Sequence, residues 1–516
     1  MDGKFVAALD VGTTTIRCYI FDQSTIAVGS ACDKVRLLYP QPGRVEIDPE
    51  ELWKAAVGVV NGAIKAAGLS AAQVSALGVS TQRSSFVTWH RDTGRPFHNF
   101  ITWKDVRADD LVRQWNASLT LKGLHVGTRL LYAVTRSQRF LAASVLKLMN
   151  SQVTPRLLWA LREVPALREA AARGAACFGT VDTWLLHRLS AGALHVTDVS
   201  NASATGLYDP FVLAWSGMAQ SLFGIPQGLF PAVWDTDADF GATDPALFGA
   251  AIPIRCSMAD QAAATFGSCC FSKGDVKVTL GTGTFLDMNT GASAHASVAG
   301  LYPLVGWRVG GEVTYLVEGA SHDTGTVVAW AQDVGLLKDP AESSDVASSV
   351  KDSGGVYFIP AFSGLQAPIN DAGAAAGLLG VKPTTRRAHV VRAILESVAF
   401  RVRQLLRSLH DEARVRCGSI RIDGGVSRND FVAQLLADVA GARVERAAAE
   451  TSALGAAFVA GLATGVWRSR EELRALRRVE RVFEPRAAVA AEYESVGARW
   501  DQAVQRFLAW YSYPGQ

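Results

Sequence analysis

Three short turns carry the residue types best suited to hold phosphate: Gly12-Thr13-Thr14-Thr15, Gly281-Thr282-Gly283-Thr284 and Gly424-Gly425. Phosphate oxygens are gripped by backbone N–H groups and hydroxyls, and close approach demands small side chains. Each turn has an acid before it: Asp10 leads the first, Asp260 precedes the second by about twenty residues, and Asp423 leads the third. Asp10 is a carboxylate suited to Mg2+ or its water shell. Taken singly, each turn reads as an ordinary hairpin connection. Their order and their acids favour phosphoryl chemistry over three unrelated hairpins.

Other routes to nucleotide or metal chemistry are missing. The chain has no Gly-Lys-Ser/Thr loop, Gly281-X-Gly283 lacks the third glycine of the dinucleotide fingerprint, and the protein-kinase motifs are absent. The nine histidines are scattered. Seven cysteines, an odd number with no zinc spacing, read as reduced thiols of a cytoplasmic protein.

The elements that must position these turns follow from periodicity. FVAALDVGTTTIRCYIFD alternates apolar residues on either side of a Gly-Thr-Thr turn, which predicts a hairpin. Asp48-Pro49-Glu50-Glu51 starts a helix, with Asp48 as cap and Glu51 where a capping box wants an acid. Val74–Ser80 reads as a buried strand. A second opening follows: IPIRCSMADQAAATFG runs from strand to helix, then DVKVTLGTGTFLDMNTG gives strand, turn and strand. This weak internal echo predicts two related domains with a cleft between them, divided as 1–252 and 253–516. Helices are expected over His389–His410, from about Asn429, and over Ser452–Leu462, with a charged, helical tail over 470–516.

Bulk properties agree. A chain of 516 residues, 49% hydrophobic and 19% charged, has material for two large cores. A net charge of +3 predicts neither a nucleic-acid groove nor a polybasic membrane surface. The apolar run Phe5–Leu9 is too short for a signal peptide, and no stretch reaches the ~20 residues of a membrane span.

With these segments in view, the chain resembles the FGGY family of carbohydrate kinases, and within it the glycerol kinases. The likeness runs through ALDVGTTTIRCYIFD, GRVEIDPEELW, FITWKDVR, GTVDTWLLHRLS, ADQAAATFG, VTLGTGTFLDMNTG, FIPAFSGLQAP, AAGLLGVKPTTRRAHVVRAILES and RIDGGVSRN, nearly the whole chain. STQR followed by small residues, FHNFI, WSGM, TFLD and FSGLQAP mark a divergent branch. The resemblance implies an α/β fold of two actin-like (ribonuclease H-like) ATPase domains, with ATP, Mg2+ and a small polyol in the cleft between them. It implies that Asp10 organises Mg2+, that Gly12, Thr13, Thr14, Arg17 and Thr282 lie at the nucleotide phosphates, and that Gly325, Gly425 and Asn429 contact the adenosine. Asp260 matches the catalytic base. Arg83, Ser84, Trp103, Gln261 and Phe285 match substrate positions. Taken alone, Asp260 reads equally as a helix cap, Trp103 and Phe285 as core, and Arg17 as half of an ion pair. Asp105 and Arg107 read as a local pair that shapes the site. Relatives in the family are often dimers or tetramers, and nothing in the sequence selects one.

The match departs at three places. Ser84 stands where glycerol kinases carry a glutamate, Ser151 falls where a tyrosine closes their pocket, and Ala329 replaces a glutamine near the nucleoside. The expected reaction is ATP-dependent phosphorylation of a primary hydroxyl of glycerol. The alternatives are another polyol or a ketose as acceptor, or an ATP-binding regulator with little turnover.

Overall fold

A computed structural model of the chain describes residues 4–413, 417–448 and 450–511. Val6, Ala7, Ala8 and Leu9 are all fully buried, so the strand Phe5–Val11 (β1) is covered on both faces. It turns at the predicted Gly-Thr-Thr into Thr15–Phe21 (β2), then Ala27–Lys34 (β3). Val74–Thr81 (β4) lies parallel to β1, and Ile254–Ala259 (β5) lies parallel to β4, giving the order β5-β4-β1-β2-β3. The first sheet therefore extends past the 252/253 division expected from sequence, because β5 finds its pairing partner in β4.

The second sheet holds Val276–Leu280 (β6), Thr284–Gly291 (β7), Tyr302–Val309 (β8), Glu312–Ser321 (β9), Ser419–Asp423 (β10), Arg443–Ala447 (β11) and Val479–Phe483 (β12). Its order is β8-β9-β7-β6-β10-β11-β12. The central run β9-β7-β6-β10-β11 repeats the first sheet's pattern of two antiparallel and two parallel pairings. The faint sequence echo is thus a duplicated topology, and each copy carries a glycine-threonine hairpin between two antiparallel strands, β1 and β2 in the first sheet and β6 and β7 in the second. The strand β12 was not expected in the tail; it forms because β11 leaves an open edge for it. Residues 512–516 of that tail lie outside the described ones.

Helix Pro49–Ala66 (α1) packs on one face of the first sheet, with Asp48 capping it through Glu50 N and Glu51 N. Glu51 itself pairs with Arg36 at 3.2 Å instead of closing a capping box. Asp260–Gly267 (α2) follows β5, Gly325–Asp333 (α3) follows β9, and Arg387–Ala413 (α4), Asp430–Ala440 (α5), Thr451–Ala463 (α6) and Ala487–Val504 (α7) come later in the chain. The small-residue helix α6 crosses α2 so closely that a Cβ on Gly455 would meet Ala263 O at 1.8 Å. Only glycine permits that approach. The apolar faces fill two main cores, one around Leu9, Ile16 and Val79, the other around Val278, Leu286, Val398 and Ile422.

Candidate active site

The first phosphate turn is braced from behind. Gly12 N donates to Thr15 O at 2.9 Å. The Gln82 side chain donates to Gly12 O at 3.0 Å, and its Oε1 accepts from Ser85 Oγ at 2.8 Å. Trp103 Nε1 donates to Thr13 Oγ1 at 2.8 Å. Trp103 thus couples the expected substrate wall to the phosphate turn, and Gln82, which sequence reasoning passed over, is the hub. Thr14 is exposed. Arg17 pairs with Glu450 at 2.9 Å across the domains. Asp10 is the last residue but one of β1; burial, partly offset by Ser80, and then the nearby Asp260 push its carboxyl up to about 6.

The second turn is locked to α3. Gly325 N donates to Gly281 O and Thr282 O, both at 2.9 Å, and Thr282 is exposed. A Cβ on Gly325 would meet Gly281 O at 2.7 Å. Ala329 lies in the same helix. The third turn abuts the end of β6: Gly424 has φ +87°, and a Cβ there would come within 2.6 Å of Leu280 O. Gly425 faces open space. Asn429 caps α5 through Val432 N at 3.0 Å and donates to Ser343 Oγ at 2.9 Å. These bonds place Asn429 beside the turn but commit both ends of its amide.

Between the turns lie the groups able to do chemistry. Asp260 opens α2, and its Oδ1 accepts from Gln261 N at 2.7 Å. Burial raises its carboxyl above the ordinary range, against the pull of Arg83. Arg83 Nε lies 3.5 Å from Asp260 Oδ1, and its NH2 lies 2.7 Å from Glu318 Oε2 on β9. Its guanidinium sits 5.8 Å from the centre of the Phe285 ring. Gln261 Oε1 accepts from Thr279 Oγ1 at 2.9 Å and Lys277 Nζ at 3.1 Å. Those bonds fix the amide so that its Nε2 hydrogens have no protein acceptor among the described residues. Ser84, at φ +62°, donates its hydroxyl to Ala204 O at 2.8 Å. Its proton is spent on the first-domain scaffold.

Sequence reasoning missed a polar row across the second sheet. Lys277, Asp287, Glu318 and Tyr302 are cross-strand neighbours on β6, β7, β9 and β8. Three of them meet the first domain: Lys277 at Gln261, Glu318 at Arg83, and Tyr302 OH at Met149 Sδ, 2.9 Å away. Asp287 is fully buried with no hydrogen-bond partner for either oxygen. Burial, and then Glu318 beside it, raise its carboxyl well above the ordinary range. A buried acid beside another acid disfavours its own charge, while Glu318 meets Arg83. The signal was available, since an acid in the apolar run of TFLDMNTG breaks the pattern of a buried strand. Asp105 and Arg107 form the expected shaping pair, at 2.7 Å, with Glu46 joining at 2.6 Å.

Comparison with known proteins fits this geometry. The family model for the N-terminal domain of FGGY carbohydrate kinases matches residues 5–267, and that for the C-terminal domain matches residues 276–464. The gap between them falls after α2, where the second sheet begins. The chain is 51% identical over 516 residues to glycerol kinase 5 of Danio rerio, covering 99% of this chain and 98% of the relative. It is 37% identical over 509 residues to glycerol kinase 2 of Thermotoga maritima, covering 98% and 99%. Among solved structures, a Plasmodium falciparum glycerol kinase with ADP superposes with a TM-score of 0.88 at 28% identity, covering 98% of each chain. A Lactobacillus acidophilus gluconate kinase superposes at 0.84 with 20% identity over 99% of each, which speaks for the fold. On these matches and on its duplicated, cleft-forming architecture, the chain belongs to the FGGY family of carbohydrate kinases.

Proposed function

We propose that this protein transfers the γ-phosphoryl group of ATP to a primary hydroxyl of glycerol, giving ADP and glycerol 3-phosphate. The observation that carries the reading is Asp260, a half-buried carboxylate held beside Arg83 between two braced glycine-threonine turns. A hydroxyl gains nucleophilicity as its proton leaves, and Asp260 is the group to take it. Its raised proton affinity suits that task, because a carboxylate of ordinary strength is a poorer base. The unclaimed Gln261 amide hydrogens and Arg83 supply donors to acceptor oxygens, and the Phe285 ring supplies an apolar wall for the carbon chain. The turns at Gly12–Thr14 and Gly281–Thr282 offer backbone N–H groups and hydroxyls to the phosphates. The open space at Gly425 leaves room for the nucleoside, with Gly325 holding the second turn in place and Asn429 shaping the third.

Mg2+ fits at Asp10. That carboxylate is held protonated to about 6 by burial and by Asp260, and a bound cation relieves the same penalty. When bound, the metal neutralises charge building on the transferred group. No group of three or more ligating side chains occurs among the described residues, so Asp10 would share the ion with phosphate and water oxygens.

A different acceptor is favoured by one observation: the Ser84 hydroxyl is turned to Ala204 O. The first-domain wall then offers an acceptor hydroxyl no carboxylate at that position. Tyr302 OH meets Met149 Sδ, two residues before Ser151 in the chain. ADP release with glycerol, tetritols, pentitols and ketoses separates the two readings. Turnover with glycerol supports the first, and preference for a larger acceptor the second. No turnover with any of them overturns both in favour of an ATP-binding regulator.

A further inference from the structure

The balanced net charge conceals a local extreme. Between Asp110 and Glu163 the chain carries eight Lys or Arg residues and no acid at all. At the centre of that stretch lies the helix Leu119–Thr135, which packs chiefly on its two neighbours, Asp109–Ala117 and Gln138–Ala143. Leu121 and Thr128 are buried and mark its inner face. The outer face is apolar and bare: Leu119 is 84% exposed, Val126 59%, Leu130 65% and Val134 85%. These residues recur at helical spacing, so they form one stripe and not scattered surface leucines. Gly123 and Gly127 lie on the same side, with nothing near where a Cβ would stand.

Lys122, Arg129 and Arg136 follow one another seven residues apart along one edge of the stripe. All three are exposed, as is Lys147 beyond them. Among the described residues no carboxylate pairs with any of these four. Arg136 instead lies over the Tyr132 ring at 5.7 Å. An apolar stripe bordered only by cations is the pattern of a helix that lies in a membrane interface, with aliphatic side chains among acyl chains and cations among anionic headgroups.

We propose that the outer face of the helix Leu119–Thr135 docks this protein reversibly on an anionic lipid surface. A second copy of the chain is disfavoured as occupant, because two such faces would bring four or more like charges together with no acid to meet them. A nucleic acid is disfavoured because the stripe is aliphatic, with no ring exposed for stacking. The contact is interfacial: no described helix is long and apolar enough to cross a membrane. The helix sits above the substrate side of the site. Asn116, just before it, donates to Leu148 O at 2.9 Å, beside the Met149 that Tyr302 touches.

The test is co-flotation of the full chain with vesicles of phosphatidylcholine alone, or of phosphatidylcholine with phosphatidylserine. The expected result is binding to the phosphatidylserine vesicles that weakens with salt. Leu130→Asp with Val134→Asp, and separately Lys122→Glu with Arg129→Glu, should each weaken binding about tenfold or more. Both pairs are on the surface, so thermal midpoint and ATP turnover in solution should match the parent and show that the fold is kept. Failure of the parent chain to float, or unchanged flotation of both variants, overturns the proposal. So does a dimer in light scattering that the aspartate variant dissolves, which would make a second copy the occupant.

Discussion

Arg83 spans the cleft: it leaves the first domain beside Asp260, at 3.5 Å, and ends on Glu318 of the second, at 2.7 Å. Glu318 is buried and Arg83 largely so, so the pair is mostly desolvated and its loss is felt. Burial pulls the guanidinium proton affinity down, and Glu318 with Asp260 more than restores it. Glu318→Gln should leave Arg83 less firmly placed. The expected outcome is an acceptor KM raised about tenfold to a hundredfold, with ATP KM nearly unchanged. Steady-state kinetics with each substrate varied in turn checks it.

Ser84 tests whether the first-domain wall recognises the acceptor at that position. Its hydroxyl is committed to Ala204 O. Ser84→Ala should therefore change kcat/KM for the acceptor less than about threefold while costing about 1 kcal/mol of stability, the value of a half-buried hydrogen bond lost. Paired melts and kinetics measure both. A large loss of acceptor affinity without loss of stability would return Ser84 to the substrate.

Gly325 sets the height of the second phosphate turn. A methyl group there meets backbone, Gly281 O at 2.7 Å and Thr282 Cα at 3.2 Å. Gly325→Ala should displace the turn, raise ATP KM about tenfold, and cost about 1–3 kcal/mol. The acceptor KM should stay within about twofold of the parent's.

Asp10 gives a pH signature. Its carboxyl holds its proton up to about 6 when folded and to the ordinary 3.8 when unfolded. Between those values the folded state binds more protons, so stability falls as pH rises, and the loss is complete above the folded value. Asparagine carries no charge there. In metal-free, nucleotide-free buffer Asp10→Asn should be the more stable protein near neutral pH, by on the order of 1–2 kcal/mol. The difference should vanish below 3.8. The same variant should be inactive with Mg-ATP. Urea titrations across pH measure the first effect.

Much of the site was legible because glycine-threonine turns and lone acids at strand ends interrupt apolar runs. Asp10, Asp260 and the turns of Gly12, Gly281 and Gly424 stand out that way, whereas Arg83 was reached only through the family resemblance. What the sequence hid was tertiary pairing. Nothing local to Ile254–Ala259 says that β4 is its partner, so the reach of the first sheet past residue 252 could not be read from it. Nothing local to Val479–Phe483 says that β11 has a free edge. The row Lys277, Asp287, Glu318, Tyr302 spans about forty residues of chain and becomes a row only through strand register. Asp287 was visible as an oddity in TFLD, yet its meaning depends on Glu318 in the next strand. The basic, exposed helix at Leu119–Thr135 was masked by a whole-chain charge near zero.

The most direct measurement is ADP release from Mg-ATP with glycerol, comparing the parent chain with Asp260→Asn. The substitution keeps shape and removes the base, so glycerol-dependent turnover should fall by about a hundredfold to ten-thousandfold while ATP still binds. In the parent, turnover should decline on the acid side at a pH above the ordinary carboxylate range, because burial raises the Asp260 carboxyl. Glycerol-dependent turnover that survives in Asp260→Asn would contradict the assignment of the base and, with it, the reading of the cleft.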